Sequence, residues 1–129
     1  MAYTAWTVER ATLLSNLAIK PTNQAVDLTA PGFGSGNGNK FVNSGRTRLI
    51  VHGNTGATGT IRVKSPSACN QGGTHHLDSI ANDLDTLTER LVWGPFPTTR
   101  LNNAAGEIEV EYSGTLTGVT VNVVEDPAS

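Results

Sequence analysis

Residues 90–114 read Arg90-Leu91-Val92-Trp93-Gly94-Pro95-Phe96-Pro97-Thr98-Thr99-Arg100-Leu101-Asn102-Asn103-Ala104-Ala105-Gly106-Glu107-Ile108-Glu109-Val110-Glu111-Tyr112-Ser113-Gly114. The apolar run Leu91, Val92, Trp93 stops at Gly94-Pro95, because proline removes a backbone donor and restricts the residue before it. That marks the end of a strand. From Glu107 to Tyr112 the chain alternates strictly. Ile108, Val110 and Tyr112 share one face and Glu107, Glu109 and Glu111 the other, the pattern of a half-buried strand with an acidic outer face. Between these strands lie Pro95, Pro97, Asn102, Asn103 and Gly106, residue types that build bends. The stretch predicts a β-sheet protein and holds no catalytic constellation.

Working outward, residues 113–118 form a turn. Val119, Val121 and Val123 then alternate with Thr120 and Asn122 in a closing strand, which predicts a final hairpin with residues 107–112. Upstream, Leu49, Ile50 and Val51 stand in a row, as in a central strand covered on both faces. The cluster Gly53-Asn54-Thr55-Gly56-Ala57-Thr58-Gly59 follows, and then Ile61 and Val63 alternate with Arg62 and Lys64, so a second hairpin is expected here. Residues 77–91 support two readings. Leu77, Ile80, Leu84, Leu87 and Leu91 have helical spacing, whereas Thr86, Thr88 and the apolar run into Gly94-Pro95 favour a strand from about residue 86, preceded by a polar connection or one helical turn over residues 82–85.

The amino-terminal part is less regular. Residues 1–20 carry Trp6, Val8, Leu13, Leu14 and Leu17 among polar residues, as a short helix or an extended arm. If the domain does not cover these groups, such an arm docks on a partner, since burying each large side chain contributes roughly 1.5–3 kcal/mol. The alternative is that the arm packs on its own sheet. A weak strand is expected at residues 25–28. Residues 30–40 then form a loop rich in glycine, where regular structure is expensive. No Gly-Lys-Ser/Thr ending follows that loop, which argues against a nucleotide site.

Composition bounds the rest. A chain of 129 residues with 14 Gly, 6 Pro and few aromatics fits one all-β domain that needs no disulfide or metal to hold its core. A net charge of -2 supplies no basic field for nucleic acid or anionic lipid, so neither partner is expected. Cys69 is the single cysteine, which excludes an intrachain disulfide. No signal-peptide pattern and no run of about 18 apolar residues is present, so synthesis in the cytoplasm is expected. Cys69, His75 and His76 invite a metal or thiol reading. Adjacent histidines on a strand point to opposite faces, and no orienting acid is legible, so no metal, cofactor or enzymatic activity is expected. Glu107, Glu109 and Glu111 form either a patch for a cation or basic partner or, as the ordinary reading, a solvated face that discourages edge pairing.

The expected fold is therefore a single β-sandwich or small barrel of about seven or eight short strands, with residues 1–40 as arm and glycine-rich loop and residues 41–129 as the sandwich domain. Several motifs in order carry a resemblance. Asn43-Ser44-Gly45-Arg46-Thr47-Arg48-Leu49-Ile50-Val51-His52, then Asn54-Thr55-Gly56, Cys69-Asn70-Gln71-Gly72, Gly94-Pro95-Phe96-Pro97, and lastly Gly106 to Tyr112 with Ser113-Gly114 resemble small tailed-bacteriophage head proteins of the capsid decoration, or head cement, type. The resemblance spans residues 43–124. It implies a β-sandwich, with a jelly roll as one form of it, that binds the major capsid protein on the outer surface of the virion's shell, frequently as a homotrimer, and it supplies no catalytic residues. Residues 80–88 depart from the pattern. The docking residues expected are Trp6, Val8, Leu13, Leu14 and Leu17. The alternatives are another virion role, as head-tail connector or tail-associated module, and a carbohydrate-binding β-sandwich.

Overall fold

The computed structural model describes residues 2–10, 23–66, 76–79 and 83–127. Ten strands follow in order: β1 (Tyr3–Ala5), β2 (Glu9–Arg10), β3 (Gln24–Ala25), β4 (Gly38–Val42), β5 (Thr47–His52), β6 (Thr60–Val63), β7 (Leu77–Asp78), β8 (Arg90–Trp93), β9 (Glu107–Ser113) and β10 (Thr120–Glu125). One helical turn, α1 (Thr98–Leu101), sits between β8 and β9. The strands form two sheets. The first has the order β1-β4-β9-β6-β7, and the second β2-β10-β5-β8, with β3 also paired to β10.

The expected all-β sandwich is what the chain forms. In the first sheet β9 lies between β4 and β6 and turns Ile108, Val110 and Tyr112 inward, each fully buried. In the second sheet β5 lies between β10 and β8 and turns Leu49 and Val51 inward against Val121 and Val123. These side chains, with Phe41, Ile61 and Val63, make one continuous core between the layers. Period-two alternation in each strand supplies an apolar face, and the two faces exclude water only by meeting.

Both expected hairpins are corrected. The strands 107–113 and 120–125 exist, but the first belongs to one sheet and the second to the other, and β5 and β6 are divided in the same way. The reason lies in the connections. Leu116, in the turn after β9, is fully buried, and so is Ala57 in the cluster after β5. A two-stranded hairpin would leave these groups in water, whereas a chain that crosses between layers drops them into the core. The two crossings also lie against each other. The Gly59 N–H donates to the Thr115 carbonyl at 2.9 Å. A Cβ on Gly59 would stand 2.5 Å from the Ser113 carbonyl oxygen, so only glycine allows the approach.

Other elements shift by a few residues. The weak strand near residues 25–28 is Gln24–Ala25. The strand expected from about residue 86 begins at Arg90, after turns that bury Leu84. Residues 80–82 lie outside the described residues, but a continuous helix over 77–91 is excluded by β7 and β8. The bend at residues 94–106 contains α1, which buries Leu101, and a cis bond joins Gly94 to Pro95.

The amino-terminal residues are woven into both sheets, which accounts for the strands beyond the expected seven or eight. β1 runs parallel to β4, and β2 runs parallel to β10, so the chain passes from the first layer to the second between them. Trp6 lies at that passage, 5% exposed, with its ring stacked on Phe41 at 6.4 Å and its indole N–H donating to the Ala25 carbonyl at 3.0 Å. The expected division at residue 40 falls inside β4. Replacing Trp6 with alanine removes a core side chain and leaves the Ala25 carbonyl without its donor. Trp6→Ala is expected to cost about 3–5 kcal/mol of unfolding free energy, measured by urea denaturation followed by circular dichroism.

Candidate functional site

The outer face of the first sheet holds a network of charged side chains, and strand register dictates how they meet. Arg62 of β6 stands opposite Glu111 of β9 and Asp78 of β7. Lys40 of β4 stands opposite Glu109. Opposite charges on neighbouring strands attract across distances of this order, so the acidic face of β9 is matched by cations on both sides. Arg62 donates two hydrogen bonds to Asp78, at 2.8 and 2.9 Å. Lys40 lies 3.5 Å from Glu107, and Lys64 lies 3.5 Å from Glu109 and 3.4 Å from Glu111.

Glu111 is the exception to the expected solvated face. It is 1% exposed, because the glycine-rich loop folds back over it. The Gly34 N–H donates to Oε1 at 2.7 Å and the Gly36 N–H to Oε2 at 3.1 Å. Both glycines have positive φ, 81° and 75°, which aims alternate amides into one concavity of the kind that holds anions. The Tyr3 hydroxyl donates to Oε2 at 2.6 Å and accepts from the Lys64 ammonium at 2.9 Å. A cation-π contact fixes the loop tip, with the Arg62 guanidinium 3.9 Å from the Phe33 ring centre.

The electrostatics follow from this geometry. Burial alone would raise the Glu111 pKa, but the Tyr3 hydroxyl, the two amides and the Lys64 charge outweigh it and hold the carboxyl below its ordinary 4.5. Burial and the hydrogen bond to Glu111 push the Tyr3 phenol up. Burial would lower the Lys64 ammonium, yet Tyr3 and Glu111 leave it raised. The cluster is a carboxylate anchor. The loop amides that could hold a phosphate are filled by the chain's own side chain.

The residues singled out from the sequence fall in different places. Trp6 is in the core, 5% exposed, so it is not presented to a partner, and Val8 is half-buried against that core. Leu13, Leu14 and Leu17 lie outside the described residues. The stretch that contains them is held at both ends on one strand: β2 pairs with Val124 and Glu125 of β10, and β3 pairs with Thr120 and Val121. Cys69 and His75 also lie outside the described residues. His76 Nδ1 accepts from the Ser65 N–H at 2.9 Å, and His52 Nε2 contacts Asn122 Oδ1 on the second sheet, so the two described histidines are not brought together. Among the described residues no group of three or more His, Cys, Asp or Glu side chains is placed to hold a metal ion. Tyr112 is fully buried, its hydroxyl donating to Asn39 at 2.6 Å, and Trp6 is buried too, so of Trp6, Trp93, Tyr3 and Tyr112, the aromatics a sugar platform would draw on, two are inside the core.

The sequence gives no signal for the Tyr3–Glu111–Lys64 cluster beyond the residues themselves. Its members are 47 to 108 positions apart, and only the pairing of β1, β4, β9 and β6 assembles them.

No family model, no curated protein and no solved structure matches this chain.

The anchor has a measurable signature. A carboxylate with a depressed folded-state pKa contributes stability that is full above its unfolded pKa and is lost as pH falls through the folded value. For Glu111 that window opens near pH 4.5 and extends downward. Glu111→Gln is expected to lower stability at pH 7 by about 1–3 kcal/mol, because it takes the charged acceptor away from the Tyr3 hydroxyl and the two covered loop amides. Its urea-unfolding free energy should also fall less steeply than wild type between pH 5 and about pH 3.

Proposed function

We propose that this chain is a phage capsid decoration protein, a non-enzymatic cement that binds the major capsid protein on the outer surface of the head shell. The reading rests on the ordered motifs between residues 43 and 124. Among the described residues, the motifs at 43–52, 54–56, 94–97 and 106–114 fall on the turn into β5 and β5 itself, the turn after it, the corner after β8, and β9; Cys69 to Gly72 lie outside the described residues. A cement protein needs contact area rather than chemistry, and a standard interface is about 1,600 Å² in total. Many copies on a shell, in threes or otherwise, also gain from high effective concentration once a neighbour is held.

The observation that carries the proposal is the tethering of residues 11–22. Arg10 is fixed to Glu125 at 3.0 Å and Gln24 is paired to Val121, so both ends of this Leu-containing stretch are set on the β10 edge of a rigid sandwich. Leu13, Leu14 and Leu17, between these two points, are the residues we assign to the shell contact, while Trp6 belongs to the core and Val8 packs against it. The test must leave the amino terminus in place, since removing residues 1–20 would also delete β1, β2 and Trp6.

The measurement is co-sedimentation of the purified chain with undecorated heads. The wild-type chain is expected to pellet saturably at many copies per shell. The triple variant Leu13→Ser, Leu14→Ser, Leu17→Ser should bind at least about 100-fold more weakly, three apolar contacts with the shell lost at roughly 1 kcal/mol or more each, with an unchanged melting temperature. No pelleting, or a few copies per particle, would overturn the decoration reading and favour a connector or another role.

A further inference from the structure

We infer that β8 is a self-complementary edge through which two copies of this chain join their second sheets. The inference is independent of the shell-binding proposal. Among the described residues β8 ends the second sheet, and at four residues it is the longest edge strand.

Ladder parity decides which of its backbone groups are available. β8 pairs antiparallel with β5 in the register Leu49 with Trp93, Ile50 with Val92, Val51 with Leu91 and His52 with Arg90. One step further along the same register, the Gly53 N–H donates to the Glu89 carbonyl at 3.0 Å. Hydrogen-bonded and non-bonded pairs alternate in an antiparallel ladder. Leu91 and Trp93 therefore turn their N–H and C=O groups toward β5. Arg90 and Val92 turn theirs off the sheet edge.

A two-fold axis perpendicular to the sheet through Val92 satisfies the Val92 groups; the Gly94 carbonyl, past the end of the strand, already accepts from Arg48 at 3.1 Å. Val92 of each copy then exchanges two N–H to C=O bonds with Val92 of the other, and Arg90 falls opposite Gly94 of the second copy. Leu91 falls opposite Trp93 of the second copy, on the core side, where both rings and chains are half-buried and gain cover. Val92 is 61% exposed, one of four large apolar residues exposed among those described, and Leu87, 63% exposed, precedes the same strand.

Nothing in the strand opposes this pairing. Edge strands are commonly guarded by a charge or proline near their middle. The middle of β8 is apolar, and Pro95 lies past its end. The Arg90 guanidinium is turned back to donate to the Leu87 and Glu89 carbonyls at 2.7 and 2.8 Å, away from the edge. A closed ring of three needs two different surfaces in contact, whereas this edge meets itself and so pairs copies in twos.

Sedimentation equilibrium of the full chain over a concentration series tests the inference. The expected species is twice the 13.5 kDa chain mass. Val92→Lys places two ammonium groups face to face at the axis and should weaken association at least about tenfold, since like charges directly opposite are unfavourable. The site is exposed, so its circular dichroism and melting temperature should match wild type. Amide exchange at Val92 should slow as concentration rises. A monomer at every concentration, a three-chain mass, or a dimer that Val92→Lys leaves intact would overturn the proposal.

Discussion

Glu111 cannot keep its charge out of water without partners, and much of the first sheet is arranged around that constraint. An isolated buried carboxylate costs several kcal/mol even after its surroundings relax. Here four partners converge on it from three separate parts of the chain: the Tyr3 hydroxyl from β1, the Gly34 and Gly36 amides from the glycine-rich loop, and the Lys64 ammonium just past β6. Burial of the charge and closure of the loop are therefore one event. Without the loop Glu111 would be another solvated acid on β9, and without Glu111 the loop amides would be covered and unmatched.

The same strand holds the other half of the fold. Ile108, Val110 and Tyr112 look into the core while Glu107, Glu109 and Glu111 look outward, so β9 links apolar packing to the polar clasp through a single backbone. Asn39 shows how closely the two are joined. It lies on the inner face, accepts from the buried Tyr112 hydroxyl and from the Asp27 amide, and donates to the Thr4 carbonyl. Each buried polar group near the amino terminus is satisfied by a segment from elsewhere, as interior polar groups require.

How much of this was legible depended on how local the signal was. Period-two alternation located β9, β10 and β6 within about two residues, because side-chain facing is set by immediate neighbours, whereas β5 was legible from its apolar run and buries one face fully, Leu49 and Val51, with Ile50 half-buried on the other. Partner choice was not local. Leu116 and Ala57 looked like incidental members of turn clusters, and only their depth in the core explains why both connections cross between layers instead of folding back. Trp6 was read as a docking residue because Met1 to Arg10 has no clear period, and its strands are only two or three residues long. The acidic pattern of β9 was visible, but the difference between Glu109 and Glu111 is made by a loop more than 70 residues away. The arginine and lysine partners were seen as outward residues without any means of assigning them to particular acids.

The pairing of β2 with β10 joins residues 115 positions apart, with Arg10 on Glu125. Contacts of such long separation give little return until the intervening chain is already ordered, and chains dominated by them fold slowly. On the ribosome, the second sheet cannot gain its β2 edge until β10 has emerged, so the early residues with Trp6 wait uncovered through most of synthesis. The stage most exposed to misassembly is thus set by topology, at the moment when the last strand has not yet met the second.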